Sequence, residues 1–240
     1  MGMPRVAVVV IGNEILSGKV EDLNAKFAVR FLRSIGADLE RIAVVPDVLA
    51  AIADEVGRCA AAYDIVLTSG GVGPTHDDIT YEGVAAAFGR PLVEEPVVAR
   101  MLGDYFGQTL TSDHLRMAQF PRGAVVHQHD GLPLPVVSVE NVYVFPGIPL
   151  LFEASLRTFG ERFRGRPFFL RDVFCRRDEG VIAAALRSVQ TAYEDLALGS
   201  YPFRDDQGLF RVRITIEGRD EARVEAAAQR VRDTVAVGGE

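Results

Sequence analysis

The chain has 240 residues, 48% of them hydrophobic and 25% charged, with a formal net charge of -7. That composition fits an ordinary globular protein with room for one large domain, or for a medium and a small one. The acidic balance argues against nucleic acid as the main partner, because binding to a phosphate backbone needs a basic face. No apolar run approaches the ~20 residues of a membrane helix, and the aliphatic run at 6–11 is too short for a secretory core, so the expectation is a cytoplasmic chain with no membrane partner.

In chain order, short apolar runs alternate with amphipathic stretches, the signature of βαβ units and a largely parallel sheet. The first strand is predicted at 6–11. Leu23, Phe27, Phe31 and Ile35, with Ala28 and Leu32 beside them, make one apolar helical stripe that stops at Gly36. A second strand is expected at 41–45. Asp47 is placed to cap a helix carrying Leu49, Ile52, Val56 and Ala60, before a third strand at 65–68. A helix at 80–88 closes at Gly89, and two more, 97–106 and 112–120, lead to Pro121 and Gly123. Residues 136–139 and 142–145 form a hairpin about Glu140-Asn141, with the asparagine tolerating positive φ, so the sheet is mixed.

Pro149 suits the first turn of a following helix. The Arg- and Gly-rich segment 160–167 reads as a linker, separating a domain at 1–162 from a small α+β domain at 166–240. In the latter the expected order is strand 168–174, helix 179–190, a Gly199-Ser200-Tyr201-Pro202 turn, strand 209–216 and helix 220–234. Such a domain lies near the lower limit at which a core stands unaided. Cys59 and Cys175 have no spacing that suggests zinc or a disulfide framework, and both read as buried thiols.

The stretch from Ser69 through Gly70, Gly71, Gly73, Pro74, Thr75, His76, Asp77 and Asp78 is the strongest candidate site. It follows a strand and opens a helix, with Thr80 and Glu82 close behind. Glycine takes positive φ and lets backbone N–H groups approach a ligand, and the carboxyl ends of parallel strands are where ligands collect in α/β sheets. The loop is neither a Walker A loop nor a Gly-x-Gly-x-x-Gly dinucleotide fingerprint. One aspartate suffices to cap a helix; two, with His76 before them and Glu82 one turn on, point to chemistry. Gly12, Asn13 and Glu14 follow the first strand and emerge on the same sheet edge, and Pro146-Gly147-Ile148-Pro149 makes a third wall. His127-Gln128-His129-Asp130 reads as a surface loop with no ligand role, since an HxH pair lacks a third convergent ligand.

These residues resemble the MoaB/Mog-type molybdopterin-binding domain, over 8 to about 159, and within it most closely the CinA N-terminal domain and the N-terminal domain of eukaryotic FAD synthases. The match is carried by residues 12–18, Asn24, residues 69–80, Glu82 and residues 145–149. The region after it, with its Leu198-Gly199-Ser200-Tyr201-Pro202 segment, is similar to the small domain that follows in the FAD synthase relatives. His76 stands where CinA proteins commonly carry lysine and agrees with the eukaryotic relatives. The CinA amidohydrolase domain and the synthase catalytic domain have no counterpart in these residues, so neither a deamidase nor an FAD synthase is expected.

The resemblance implies a three-layer αβα domain around a mixed, mostly parallel sheet, and a homo-oligomer. Its members include pterin binders that adenylylate molybdopterin and divalent-metal-dependent pyrophosphatases acting on ADP-ribose, FAD and similar dinucleotides; the closer relatives favour the second. Asp78 and Asp77 would then hold a divalent metal cation, with room for a monovalent one in the same scheme. Glu14 or Glu82 would serve as base and Gly70, Gly71 and Gly73 would cradle phosphate, while Asn13, Asn24 and residues 146–149 would shape the pocket. Two alternatives stand beside it: a pterin-binding protein whose carboxylates accept pterin N–H groups without metal, and a non-catalytic module that senses a dinucleotide through the small domain.

Overall fold

The computed structural model describes residues 3–128, 134–204, 208 and 210–236. The chain divides into two compact units, Met1–Gly165 and Arg166–Glu240. In the first, the elements are β1 (Arg5–Ile11), α1 (Asn13–Leu16), α2 (Asn24–Ser34), β2 (Asp38–Val45), α3 (Leu49–Ala62), β3 (Ile65–Ser69), α4 (Thr80–Ala87), β4 (Leu92–Glu94), α5 (Pro96–Phe106), α6 (Ser112–Arg116), β5 (Gln119–Pro121), β6 (Val125–His127), β7 (Val136–Val139), β8 (Val142–Phe145) and α7 (Pro149–Gly160). The second holds β9 (Phe169–Cys175), α8 (Glu179–Ala192), β10 (Ala197–Pro202), β11 (Val212–Gly218) and α9 (Glu221–Ala236).

The main sheet has six strands in the order β2-β1-β3-β8-β7-β6. Its first four run parallel, and β7 turns back antiparallel to both β8 and β6. β1 explains the layering. Its apolar run has no polar face because both faces are covered. Val6, Val8 and Val10 pack with Ala28, Leu32, Phe152 and Leu156 of α2 and α7, whereas Ala7, Val9 and Ile11 pack with Ile52, Val56 and Val84 of α3 and α4. The result is the three-layer αβα domain on a mixed, mostly parallel sheet that the sequence predicts. The second unit closes its own core between α8, α9 and an antiparallel sheet in the order β10-β11-β9.

Several local expectations are corrected. The 112–120 helix stops at Arg116, and Gln119–Pro121 becomes a strand paired with β4. Phe120 precedes proline, which disfavours helix, and its ring packs edge-on against Tyr81 with centroids 4.8 Å apart. In the hairpin turn it is Glu140, not Asn141, that takes positive φ (51°). Asn141 serves by its side chain, whose amide donates to the carbonyls of Ala60 (3.0 Å) and Tyr63 (2.8 Å). The 160–167 linker is largely built structure: Gly160 ends α7 and Phe163 is buried in the main core. Gly160 is there because a Cβ would strike the Phe31 ring.

The Gly199–202 turn is part of β10, paired with β11, and the strand expected from 209 begins at Val212. Glycine and proline are tolerated there because β10 is an edge strand. On α2 the buried face is Asn24, Ala25, Ala28 and Leu32, while Leu23 is exposed and Phe27 and Phe31 flank the core. Both cysteines are buried, as expected. Burial pushes the Cys59 thiol up to about 11, aided by the Glu55 carboxylate beside it. His127 is not in a surface loop: it ends β6, half-buried, with Nε2 2.8 Å from Ser138 Oγ. His129 and Asp130 lie outside the described residues.

Candidate functional site

β1, β3 and β8 are adjacent and parallel, so the loops leaving them meet at one edge of the sheet. They meet backbone to backbone. The Gly70 N–H donates to the Phe145 carbonyl at 3.3 Å. A Cβ on Gly70 (φ 102°) would collide with the Ile11 carbonyl, and one on Gly147 would lie 3.0 Å from Gly70 Cα. Gly70 is therefore demanded by loop-against-loop packing, and Gly147 packs closely against it.

Asn24, the first residue of α2 and only 6% exposed, ties this junction together. Its Nδ2 donates to Ser69 Oγ (2.8 Å) and to the Gly147 carbonyl (2.7 Å), joining α2 to the ends of β3 and β8. Thr80 is fully buried at the start of α4. Its hydroxyl donates to the Gly70 carbonyl (2.8 Å) and its N–H to that of Gly71 (2.9 Å). Its polar groups hold the loop.

A cavity of about 70 Å³ opens at this edge. Of the residues predicted for the site it is lined by Glu14, Asn24, Ser69, Gly70, Gly147 and Pro149; Glu21 and Asp22 join them, unforeseen. Its walls carry three carboxylates, Glu14, Glu21 and Asp22, and neither lysine nor arginine. Asp22 also accepts the Ala25 N–H at 3.0 Å, the i to i+3 bond of a helix start, so a capping search at that position was the available signal. Gly12 sits beneath Glu14, whose carboxylate occupies the space a Cβ would need. Asn13 opens α1, and its N–H donates to Asp47 Oδ2 at 2.7 Å. Asp47 thus serves the β1 exit loop, and α3 has no side-chain cap.

The acidic pair lies along the same loop but does not line this cavity. Asp78 Oδ2 accepts the Thr75 N–H (2.9 Å) and the Thr75 hydroxyl, in a space that only glycine at 73 leaves open. Asp77 is exposed, with His76 Nδ1 3.9 Å from its Oδ1. His76 is 97% exposed at its side chain. Pro74 is half-buried between the glycines and this group. Glu82 is committed to Arg116, 3.3 Å away. Pro149 takes the first position of α7, as predicted, and Pro146 is buried and does not line the cavity.

Among the described residues no group of three or more His, Cys, Asp or Glu side chains is placed to hold a metal ion. A zinc-type site, which takes three or four protein ligands, does not fit. A magnesium-type ion asks for only one or two carboxylates and completes its shell with water and phosphate oxygens, a demand that Asp77 or Asp78 meets by its donor chemistry.

Glycine-led loops at the carboxyl ends of parallel strands in a three-layer sandwich define the α/β class whose ligand site lies at the sheet edge. Residues 7–165 match the family described as the probable molybdopterin binding domain, and the chain belongs to that family. Residues 167–238 match the FAD synthase middle domain. A protein of Archaeoglobus fulgidus is 31% identical over 94% of this chain and 96% of its own length. A probable FAD synthase of Caenorhabditis briggsae is 32% identical over 92% of this chain but only 47% of its own, so the chain spans about half the length of that relative. Among solved structures, CinA of Thermoplasma acidophilum, whose function is given as unknown, matches with a TM-score of 0.62 and 32% identity over 67% of this chain and 98% of that one.

Proposed function

We propose that the chain hydrolyses a nucleotide diphosphate linkage, of the kind found in ADP-ribose or FAD, with the help of a divalent cation. One observation carries this reading: the cavity at the strand ends is walled by the carboxylates of Glu14, Glu21 and Asp22, of which Glu21 has Lys26 3.8 Å away, and no lysine or arginine lines it. A diphosphate brought there without a cation would be repelled. The match of the C-terminal unit to an FAD synthase domain supports a dinucleotide as ligand. Magnitude limits the pose. A cavity of about 70 Å³ accepts a phosphate or a few waters, whereas sites that enclose a whole ligand run to roughly 300–1,000 Å³. The rest of the substrate lies outside, along the glycine loop.

In this reading Asp78 and Asp77 hold the cation, which polarises phosphate oxygens when bound. Gly70 has given its N–H to Phe145, so phosphate contact falls to the loop from Gly71 to Gly73. Glu82 is engaged by Arg116, which leaves Glu14, exposed on the cavity wall, to orient a water and take its proton. The water oxygen bonds to one phosphorus as the bridging P–O bond breaks, giving two phosphomonoesters. Asn24 and Thr80 position the loops.

The pterin-binding alternative is favoured by the family description. One experiment separates them: cleavage of ADP-ribose and FAD with magnesium or manganese, and in chelator. Hydrolysis predicts cation-dependent cleavage that falls at least 100-fold in Asp78→Asn, in line with removing a group that stabilises developing charge. Absence of cleavage, with pterin binding that persists in chelator, would establish the alternative.

A further inference from the structure

The C-terminal unit carries a second cluster, unrelated to the glycine loop. At one end of its sheet, where β9 and β10 finish and β11 begins, three phenylalanines meet. The Phe174 ring lies 5.0 Å from that of Phe203 and 5.7 Å from that of Phe210, and Phe174 is 43% exposed. The strands hold them there: Cys175 and Pro202 both pair with Val212, the Arg211 N–H donates to the Cys175 carbonyl (2.8 Å), and the Phe203 N–H donates to that of Arg211 (2.8 Å).

Two open clefts share the Phe210 wall, with volumes of about 490 and 400 Å³. Among the described residues, five arginines line them, Arg176, Arg177, Arg204, Arg211 and Arg232, with one carboxylate, Asp178. In a chain of net charge -7 the described walls of these clefts are arginine-rich. Arg211 is paired with Asp178 (3.0 Å) and Arg232 with Glu225 (2.8 Å), both on the surface. Such exposed pairs are worth about 0–1 kcal/mol, so a phosphate can compete for either arginine. The Arg176 guanidinium lies 5.7 Å from the Phe210 ring centroid, which keeps it beside the aromatic surface.

Flat aromatic faces bordered by arginine forks match a molecule with a heterocycle at one end and a diphosphate at the other: rings stack on phenylalanine, and guanidinium binds phosphate oxygens in pairs. We infer that this end of the small sheet is a second binding site, for a nucleoside diphosphate group, built from residues of the C-terminal unit and independent of any hydrolysis at the glycine loop. Either cleft is large enough for a mononucleotide.

The test is equilibrium dialysis of ADP against the full chain in EDTA, where cation-mediated binding is removed. One ADP should bind per chain. Affinity should fall at least tenfold in the double variant Arg176→Ala/Arg204→Ala, since each lost charge-assisted bond is worth about a factor of ten or more, and should be unchanged in Glu14→Gln. Both arginines are exposed, so the fold is expected to survive, and a thermal melt verifies it. Phe174→Leu should weaken ADP while leaving inorganic pyrophosphate binding intact. The inference is overturned if ADP does not bind saturably in EDTA, if the double variant binds it normally, or if a single-stranded RNA oligonucleotide occupies the same arginines and ADP fails to displace it. None of these outcomes bears on cation-dependent cleavage at the first site.

Discussion

Asn24 does more for the site than any residue with an obvious catalytic side chain. Its amide satisfies two acceptors on different loops, and truncation would leave Ser69 and the Gly147 carbonyl short of a donor in a buried setting. Asn24→Ala should therefore cost about 1–3 kcal/mol in urea-induced unfolding and reduce any cleavage activity with it. An Asn24→Ala chain of unchanged stability would remove that account. His127 invites a different measurement. Burial, then the nearby Arg162 charge, lower its pKa below the ordinary value of 6.5. A depressed value means the unfolded chain takes up the proton first, so the stability His127 confers is complete above pH 6.5 and is lost as pH falls through the folded value. The melting temperature should decline from pH 7 toward 5, and His127→Gln should flatten that decline.

The helices show where sequence reading reaches and where it stops. β1, β3, the β7–β8 hairpin and the start of α7 were legible because continuous apolar runs, turn residues and a first-turn proline act locally. Asp47 was misassigned because a capping pattern and a cross-loop acceptor look identical in one dimension; only the fold brings Asn13 to it. Glu21 was missed because its role depends on the helix beside it meeting the ends of β1 and β3. The glycines divide the same way. The bends at Gly36 and Gly89 were read as helix ends, but Gly83, in the middle of α4, answers to a neighbour far along the chain: a Cβ there would run into Ile52 of α3. Alanine gains about 1 kcal/mol in helix propensity over glycine, while overpacking a full core costs about 1–3 kcal/mol. Gly83→Ala should thus be net destabilising by urea titration, and a stabilised variant would show that α3 and α4 can move apart.

On the scale of the molecule, each unit completes a core from its own residues. Among the described residues, the second unit's buried cluster runs from Val173 to Val235, with Phe169 packed against it. Residues 166–240 expressed alone should accordingly unfold in one cooperative transition by circular dichroism, with a modest midpoint suited to so small a domain. A gradual, non-cooperative melt would mean that this core needs the rest of the chain. In the first unit, the contact of main chain against main chain among Ile11, Gly70 and Gly147 limits what redesign or divergence can change. A side chain introduced at Gly70 has nowhere to go, so new substrate preferences cannot be written into this part of the floor. They must be acquired at its rim, by exchanging Glu21 or Asp22, and the preferences of the family should diverge at those positions while the floor stays the same.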